Sequence, residues 1–308
     1  MAPFGFETTG NDVVAAFPEQ VKGRICRPTD LSSKSREPVL IMSVMITGPS
    51  WESLGSETVI TLARGSPRML ILLGRDISKI QPVIDEVGKI NRDISTKFVE
   101  IHLDLLSSVR KAAQQVLEDA SIPKIDVLIN NAGIMACPYL KTEDGIERQF
   151  ATNHIGHFLL ANLIMPKLMA ASPSPRIVNV SSFGNVLSDV LEDPTFDDGK
   201  EYNSFISYGQ SKTANILFAV GLNERLGEKG VKAFALDPGS EWSWERIQYI
   251  RLTQCMCTNQ PSTFYDPRNN EGGNGGDLSK WSCDAAKKDV SARLLDINPC
   301  CNRSNFVR

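Results

Sequence analysis

The chain has 308 residues, of which 42% are hydrophobic and 22% charged, and a formal net charge of -3. That length supports a full-sized core, and the charge gives no electrostatic reason to expect nucleic acid or an anionic membrane surface as partner. The N-terminus shows no basic stretch ahead of an apolar one, and HFLLANLIMPKLMAA is broken by Asn162, Pro166 and Lys167, so the expectation is a cytosolic protein without a membrane span.

In chain order, an inserted Ser/Pro-rich segment, 24–45, runs into the first apolar run of strand length, 39–46. A loop bracketed by glycines follows: Thr47, Gly48, Pro49, Ser50, Trp51, Glu52, Ser53, Leu54, Gly55. Further strand-length apolar runs stand at 69–73, 98–103, 127–129, 177–180 and 231–236. Helical patterns at 78–90 and 208–226 alternate with them, and Val109, Ala112, Ala113, Val116 and Leu117 make one helical face. Gly227 and Gly230 close the last helix. Apolar strands alternating with helices predict a doubly wound α/β fold with a parallel sheet, its ligands at the carboxyl ends of the strands. The alternation stops after Gly239, so residues 1–239 are read as the folded domain and 240–308 as a poorly ordered tail. Five of the seven cysteines (Cys255, Cys257, Cys283, Cys300, Cys301) crowd into that tail without the spacing of a zinc site, and no metal is expected.

The residues that carry chemistry cluster at strand ends. Tyr208 and Lys212, four apart on a helix, share one face, and an ammonium there would bring the phenol toward its working range. The strand that ends in Ser181 and Ser182 offers a hydroxyl to a substrate carbonyl. Asn153 lies in an apolar helical stretch, where an amide is costly unless used. Its neighbours His154 and His157 read as structural, in the core or at a subunit interface.

Taken together, TG…G at 47–55, Asp104-Leu105, NNAG at 130–133, Asn153, Ser182, YGQSK at 208–212 and Pro238-Gly239 resemble the short-chain dehydrogenases/reductases. The resembling branch is the retinol-dehydrogenase-like and WW-domain-oxidoreductase-like one with its fungal relatives in secondary metabolism. The resemblance covers the stretch from the glycine loop to Gly239. It implies hydride transfer between a nicotinamide cofactor and a small or medium hydrophobic alcohol or carbonyl compound. Tyr208 would be the acid/base, Lys212 would lower its pKa and hold the ribose, Ser182 would orient the carbonyl, and Asn153 would support a proton relay to Lys212. Thr47, Gly48, Ser50, Leu54, Gly55, Asp104, Leu105, Asn131, Ala132, Gly133, Pro238 and Gly239 would line the cofactor cleft. Arg75 follows the second strand where an acid would read the ribose of NAD, which favours NADP, although Asp76 comes next.

Two departures matter. The family's central glycine falls at Glu52 or Ser53. The Thr and substrate lid expected after Pro238-Gly239 are replaced by Ser240-Glu241-Trp242-Ser243 and an unrelated stretch, so the last strand and lid are expected to be missing. These departures support a second reading, a catalytically impaired binding or scaffold protein or a non-functional product. A homo-oligomer is compatible with either.

Overall fold

The computed structural model describes residues 10–16, 42–171 and 174–239. The expected tail, 240–308, and most of the inserted segment lie outside the described residues. A short helix, α1 (Gly10–Ala16), stands by itself in sequence ahead of the sheet region.

The sheet has six parallel strands: β1 (Ser43–Thr47), β2 (Met69–Gly74), β3 (Ser95–Glu100), β4 (Val127–Asn130), β5 (Arg176–Val180) and β6 (Lys232–Leu236). Their spatial order is β3-β2-β1-β4-β5-β6. β1 is flanked by β2, with Ser43 opposite Met69, and by β4, with Val44 opposite Val127. The chain therefore reverses direction across the sheet between β1 and β4, and a crevice opens there beyond the strands' carboxyl ends.

Alternation along the strands sorts the core into two layers. Val44, Ile46, Leu70 and Leu72 pack on one face, against Val59 and Ala63 of α2 (Leu54–Arg64) and Val83 and Val87 of α3 (Gln81–Ile90). Met45, Ile71 and Leu73 point the other way, into a layer with α4 (Leu106–Glu118), α5 (Gly156–Leu163) and the long α7 (Ser204–Leu226). A short helix, α6 (Met165–Met169), completes that side. Each fully buried Leu or Ile contributes about 2 kcal/mol by area, and both faces being covered explains why Val44–Ile46 of β1 and Met69–Leu73 of β2 are unbroken apolar runs.

The doubly wound α/β fold is thus the one the alternation predicts, with three boundary differences. Ser43, Val44 and Met45 belong to β1, so the inserted segment ends before them. β3 starts at Ser95, not 98, because on this outer strand Ser95 and Lys97 keep partly solvated faces and need not be apolar. α7 begins one turn earlier than 208, since the Asn203 side chain caps it by accepting from the amides of Phe205 and Ile206.

Candidate active site

The crevice is built from the loop after β1, the turn after β4, the end of β5 and the first turns of α7. Gly48 takes φ +68, where a side chain would press on Ala132, and Gly55 lies so close to Asn131 that a Cβ would stand 2.6 Å from its Nδ2. The loop is clasped to the β2 side: Gly48 N–H donates to Leu73 C=O at 2.7 Å and Trp51 N–H to Lys79 C=O at 2.8 Å. Ser53, one of the two candidates for the family's glycine position, caps α2. Its Oγ accepts from Ser56 N–H while Ser56 Oγ accepts from Ser53 N–H, a reciprocal box that fixes where the helix starts. Ser53 Oγ also donates to the Ser50 carbonyl at 2.6 Å. Glu52, immediately before that cap, sits at φ +59 and is exposed. Of the two positions the sequence left open, Glu52 therefore occupies the left-handed one that favours glycine.

Asn131 and Ala132 line the opposite wall. Their amides both donate to Thr47 Oγ1 at 3.0 Å, and Asn131 Nδ2 donates to the Thr47 carbonyl at 2.9 Å. Gly133 is exposed between Asn153 and Lys212; a Cβ there would lie 3.2 Å from Asn153 Oδ1 and 3.5 Å from Lys212 Nζ. Asp104 and Leu105 lie in the segment that follows β3, with Leu105 the N-cap of α4. Pro238 and Gly239 close the described chain, exposed just past β6.

Ser182, Tyr208 and Lys212 come together. Ser182 Oγ accepts from Gly184 N–H at 3.1 Å and is hydrogen-bonded to the Tyr208 phenol. Ser181, its neighbour, is used structurally: its Oγ donates to the Lys212 carbonyl at 2.9 Å. The segment Phe183–Leu187 is held over α7 by close backbone approach, since a Cβ on Gly209 would stand 2.8 Å from the Gly184 carbonyl. Thr213 Oγ1 adds bonds to the Asn185 and Ser188 carbonyls.

The electrostatics differ from expectation. Burial pushes the Tyr208 phenol above its ordinary value, with the Ser182 bond opposing this and Asp237 adding to it. Lys212 Nζ stands 5.5 Å from the Tyr208 ring centroid and donates to the Val180 carbonyl at 3.0 Å. Burial brings that ammonium down to about 8. In this state the phenol keeps its proton at neutral pH and the lysine is the group poised near the working range.

Asn153 is fully buried in a π-helical turn, Ala151–Ile155, which precedes α5. Its Oδ1 accepts from Ile134 N–H at 2.8 Å, and its Nδ2 donates to the Ile134 carbonyl and to Ser211 Oγ, both at 2.9 Å. The amide thus ties the turn after β4 to α7, with both Nδ2 hydrogens engaged and one lone pair of Oδ1 left over. Glu147, which sequence reasoning missed, anchors the same helices. It is buried and accepts from Gln149 N–H, Phe150 N–H and Ser207 Oγ. Its only sequence signal is an acid at the start of an apolar helical stretch.

His154 and His157 are both hydrogen-bonded within the fold. His154 pairs with Asn215 and packs against Phe150, Phe158 and Phe218. His157 is buried against Thr47, and burial brings its imidazole down to about 4. Between the ordinary 6.5 and 4, the unfolded chain takes up a proton that folded His157 refuses. Stability is therefore complete above 6.5 and falls by about 3 kcal/mol as pH drops through that window. Urea unfolding at stepped pH should show this slope, and His157→Gln should flatten it by one proton; an unchanged slope would contradict the assignment.

The chain is similar to known proteins. A family model described as short chain dehydrogenase matches residues 42–241. Human retinol dehydrogenase 13 is 39% identical over 201 residues, covering 64% of this chain and 58% of that protein. A Fusarium equiseti oxidoreductase is 32% identical over 281 residues, covering 82% of this chain and all of its own length. This chain thus spans less than two thirds of the retinol dehydrogenases it matches. Among solved structures, an uncharacterised protein from Mycobacterium paratuberculosis is 36% identical with a TM-score of 0.54, covering 66% of this chain and 69% of its own. An NADPH-bound carbonyl reductase from chicken fatty liver is 25% identical with a TM-score of 0.50, covering 65% and 79%. The matched span holds all six strands and every residue gathered around Tyr208, and the chain belongs to the short-chain dehydrogenase family.

Proposed function

We propose that the protein is an NADP-dependent oxidoreductase that interconverts a hydroxyl and a carbonyl on a small or medium hydrophobic compound. The observation that carries this reading is the convergence of Ser182, Tyr208 and buried Lys212 at the mouth of a glycine-lined crevice. The crevice fits a dinucleotide, since Gly48 and Gly55 let the loop pack closely on Asn131 and Ala132 at the start of α2, and Gly133 puts no side chain between the crevice and Lys212. When bound, a nicotinamide supplies or accepts the hydride. The chain's own part is to orient and to move a proton. Ser182 Oγ positions the carbonyl oxygen, and Tyr208, which keeps its proton at neutral pH, donates to the oxygen as it gains charge. Lys212 stabilises the charge left on the phenol and binds the ribose. Exposed Phe183, Val186 and Leu187, on the segment that follows Ser182, give the mouth the apolar rim that a hydrophobic substrate needs.

Preference for NADP rests on the strand end after β2. Asp76 is committed as a cap, with Oδ1 accepting from Ser78 N–H at 2.8 Å. Exposed Arg75 sits on the 73–79 segment to which the glycine loop is clasped. Arg75→Ala should weaken NADPH binding about tenfold, the loss of a charge-assisted contact, and leave NADH nearly unchanged. Fluorescence titration with each cofactor reads this directly, and equal losses for both would mean that Arg75 does not read the 2′-phosphate.

Among the described residues no helix is long and apolar enough to cross a membrane. A cytosolic place of action, a homo-oligomeric state and a role in secondary metabolism belong to the same proposal and rest on composition and resemblance. The impaired-protein reading is favoured by one observation, Glu52 in the left-handed position of the phosphate loop.

A further inference from the structure

His157 occupies a node that the chemistry above does not use. Thr47 Oγ1 has two lone pairs and one hydrogen. The lone pairs are taken by the amides of Asn131 and Ala132, each at 3.0 Å. Its hydrogen must then go to the remaining neighbour, His157 Nε2, at 2.8 Å. Nε2 is therefore the bare nitrogen, and the imidazole proton is on Nδ1, which donates to the Asn153 carbonyl at 3.0 Å. The ring is buried, so water cannot stand in for either partner.

From this bond order we infer that His157 is a positioning residue for the cofactor crevice: by accepting the Thr47 hydroxyl hydrogen, it locks the Thr47 oxygen toward the Asn131 and Ala132 amides. Three separate pieces of chain meet at this oxygen: the end of β1 that begins the glycine loop, the turn after β4, and α5. Without an acceptor at Nε2, the hydroxyl turns its hydrogen toward one of the two amides and loses that bond. The turn that carries Asn131, Ala132 and Gly133 then loosens where it faces the cofactor. The inference rests on the dinucleotide reading of the crevice for its functional consequence, while the bond order stands on geometry alone.

Two near-isosteres separate the two nitrogens. In His157→Gln the amide oxygen reaches the place of Nε2 and can still accept from Thr47. In His157→Asn the shorter amide reaches only the place of Nδ1, keeps the bond to the Asn153 carbonyl, and leaves the Thr47 hydroxyl unpartnered. The test is amide hydrogen exchange of the full chain without cofactor, read over the peptide 127–134, together with NADPH and NADH titration. The expected result is exchange about tenfold faster in His157→Asn than in His157→Gln, with the dinucleotide dissociation constant rising by a similar factor in Asn only. Thr47→Val should weaken binding as well, and adding His157→Asn to it should cost little more, because both act through one hydroxyl. Equal exchange in the Asn and Gln variants, or losses that add in the double variant, would overturn the inference. If the wild-type chain binds neither cofactor, the proposed function fails, and the exchange comparison still decides the role of His157.

Discussion

Lys212→Met is expected to yield a protein that is more stable and yet turns over far more slowly. The lysine is buried and its ammonium titrates at about 8 against an ordinary 10.5, so near pH 7 the folded state carries a charge that burial disfavours. That shift corresponds to about 3 kcal/mol. Losing the bond to the Val180 carbonyl returns about 1 kcal/mol, leaving a net gain of roughly 2 kcal/mol and several degrees in Tm. The stability difference should shrink as pH rises through 8 toward 10.5, because the folded lysine releases its proton first and the burial cost disappears. Turnover should fall by two to four orders of magnitude, as should that of Tyr208→Phe, which removes only the ionisable hydroxyl from a ring that stays packed. A Lys212→Met protein less stable than wild type would show that the ammonium is held by interactions stronger than its desolvation.

Glu52→Gly carries the second large effect. A non-glycine residue at φ +59 costs about 1 kcal/mol in backbone strain, and a carboxylate at the start of α2 competes with a phosphate for the same positive helix end. The glycine variant should be more stable through relief of the strain, and should bind NADPH and NADH roughly tenfold more tightly through loss of the competing carboxylate. Glu52→Gln keeps the strained backbone and removes only the charge, so it should show the gain in affinity, which is salt-sensitive, without the gain in stability. Unchanged affinity in both variants would mean that the carboxylate stays in solvent and the loop tolerates the residue.

Much of this was legible in the sequence, for physical reasons that can be located. β1 and β2 are buried on both faces, so their apolar runs are continuous and easy to see. β3 was placed late because its solvated faces let Ser95 and Lys97 pair within the sheet without apolar side chains. Ser182, Tyr208 and Lys212 were legible because strand ends and a four-residue helical spacing fix them locally. Their electrostatics were not. Spacing puts Tyr208 and Lys212 on one helix face, but burial of both, and the Val180 carbonyl that takes the ammonium, come from β5 packing on α7. The same holds for Glu147 and His157, whose partners lie 60 and 110 residues away in sequence. Long-range polar nodes leave no periodicity to read.

The measurement that bears most directly on the central claim is calorimetric titration of the full chain with NADPH and with NADH, repeated on Lys212→Met. NADPH should bind at one site, at least about tenfold more tightly than NADH by virtue of Arg75, and the more stable Lys212→Met protein should bind it less well. No binding of either dinucleotide to the folded wild-type chain would contradict the account, and so would a Lys212→Met protein with undiminished affinity.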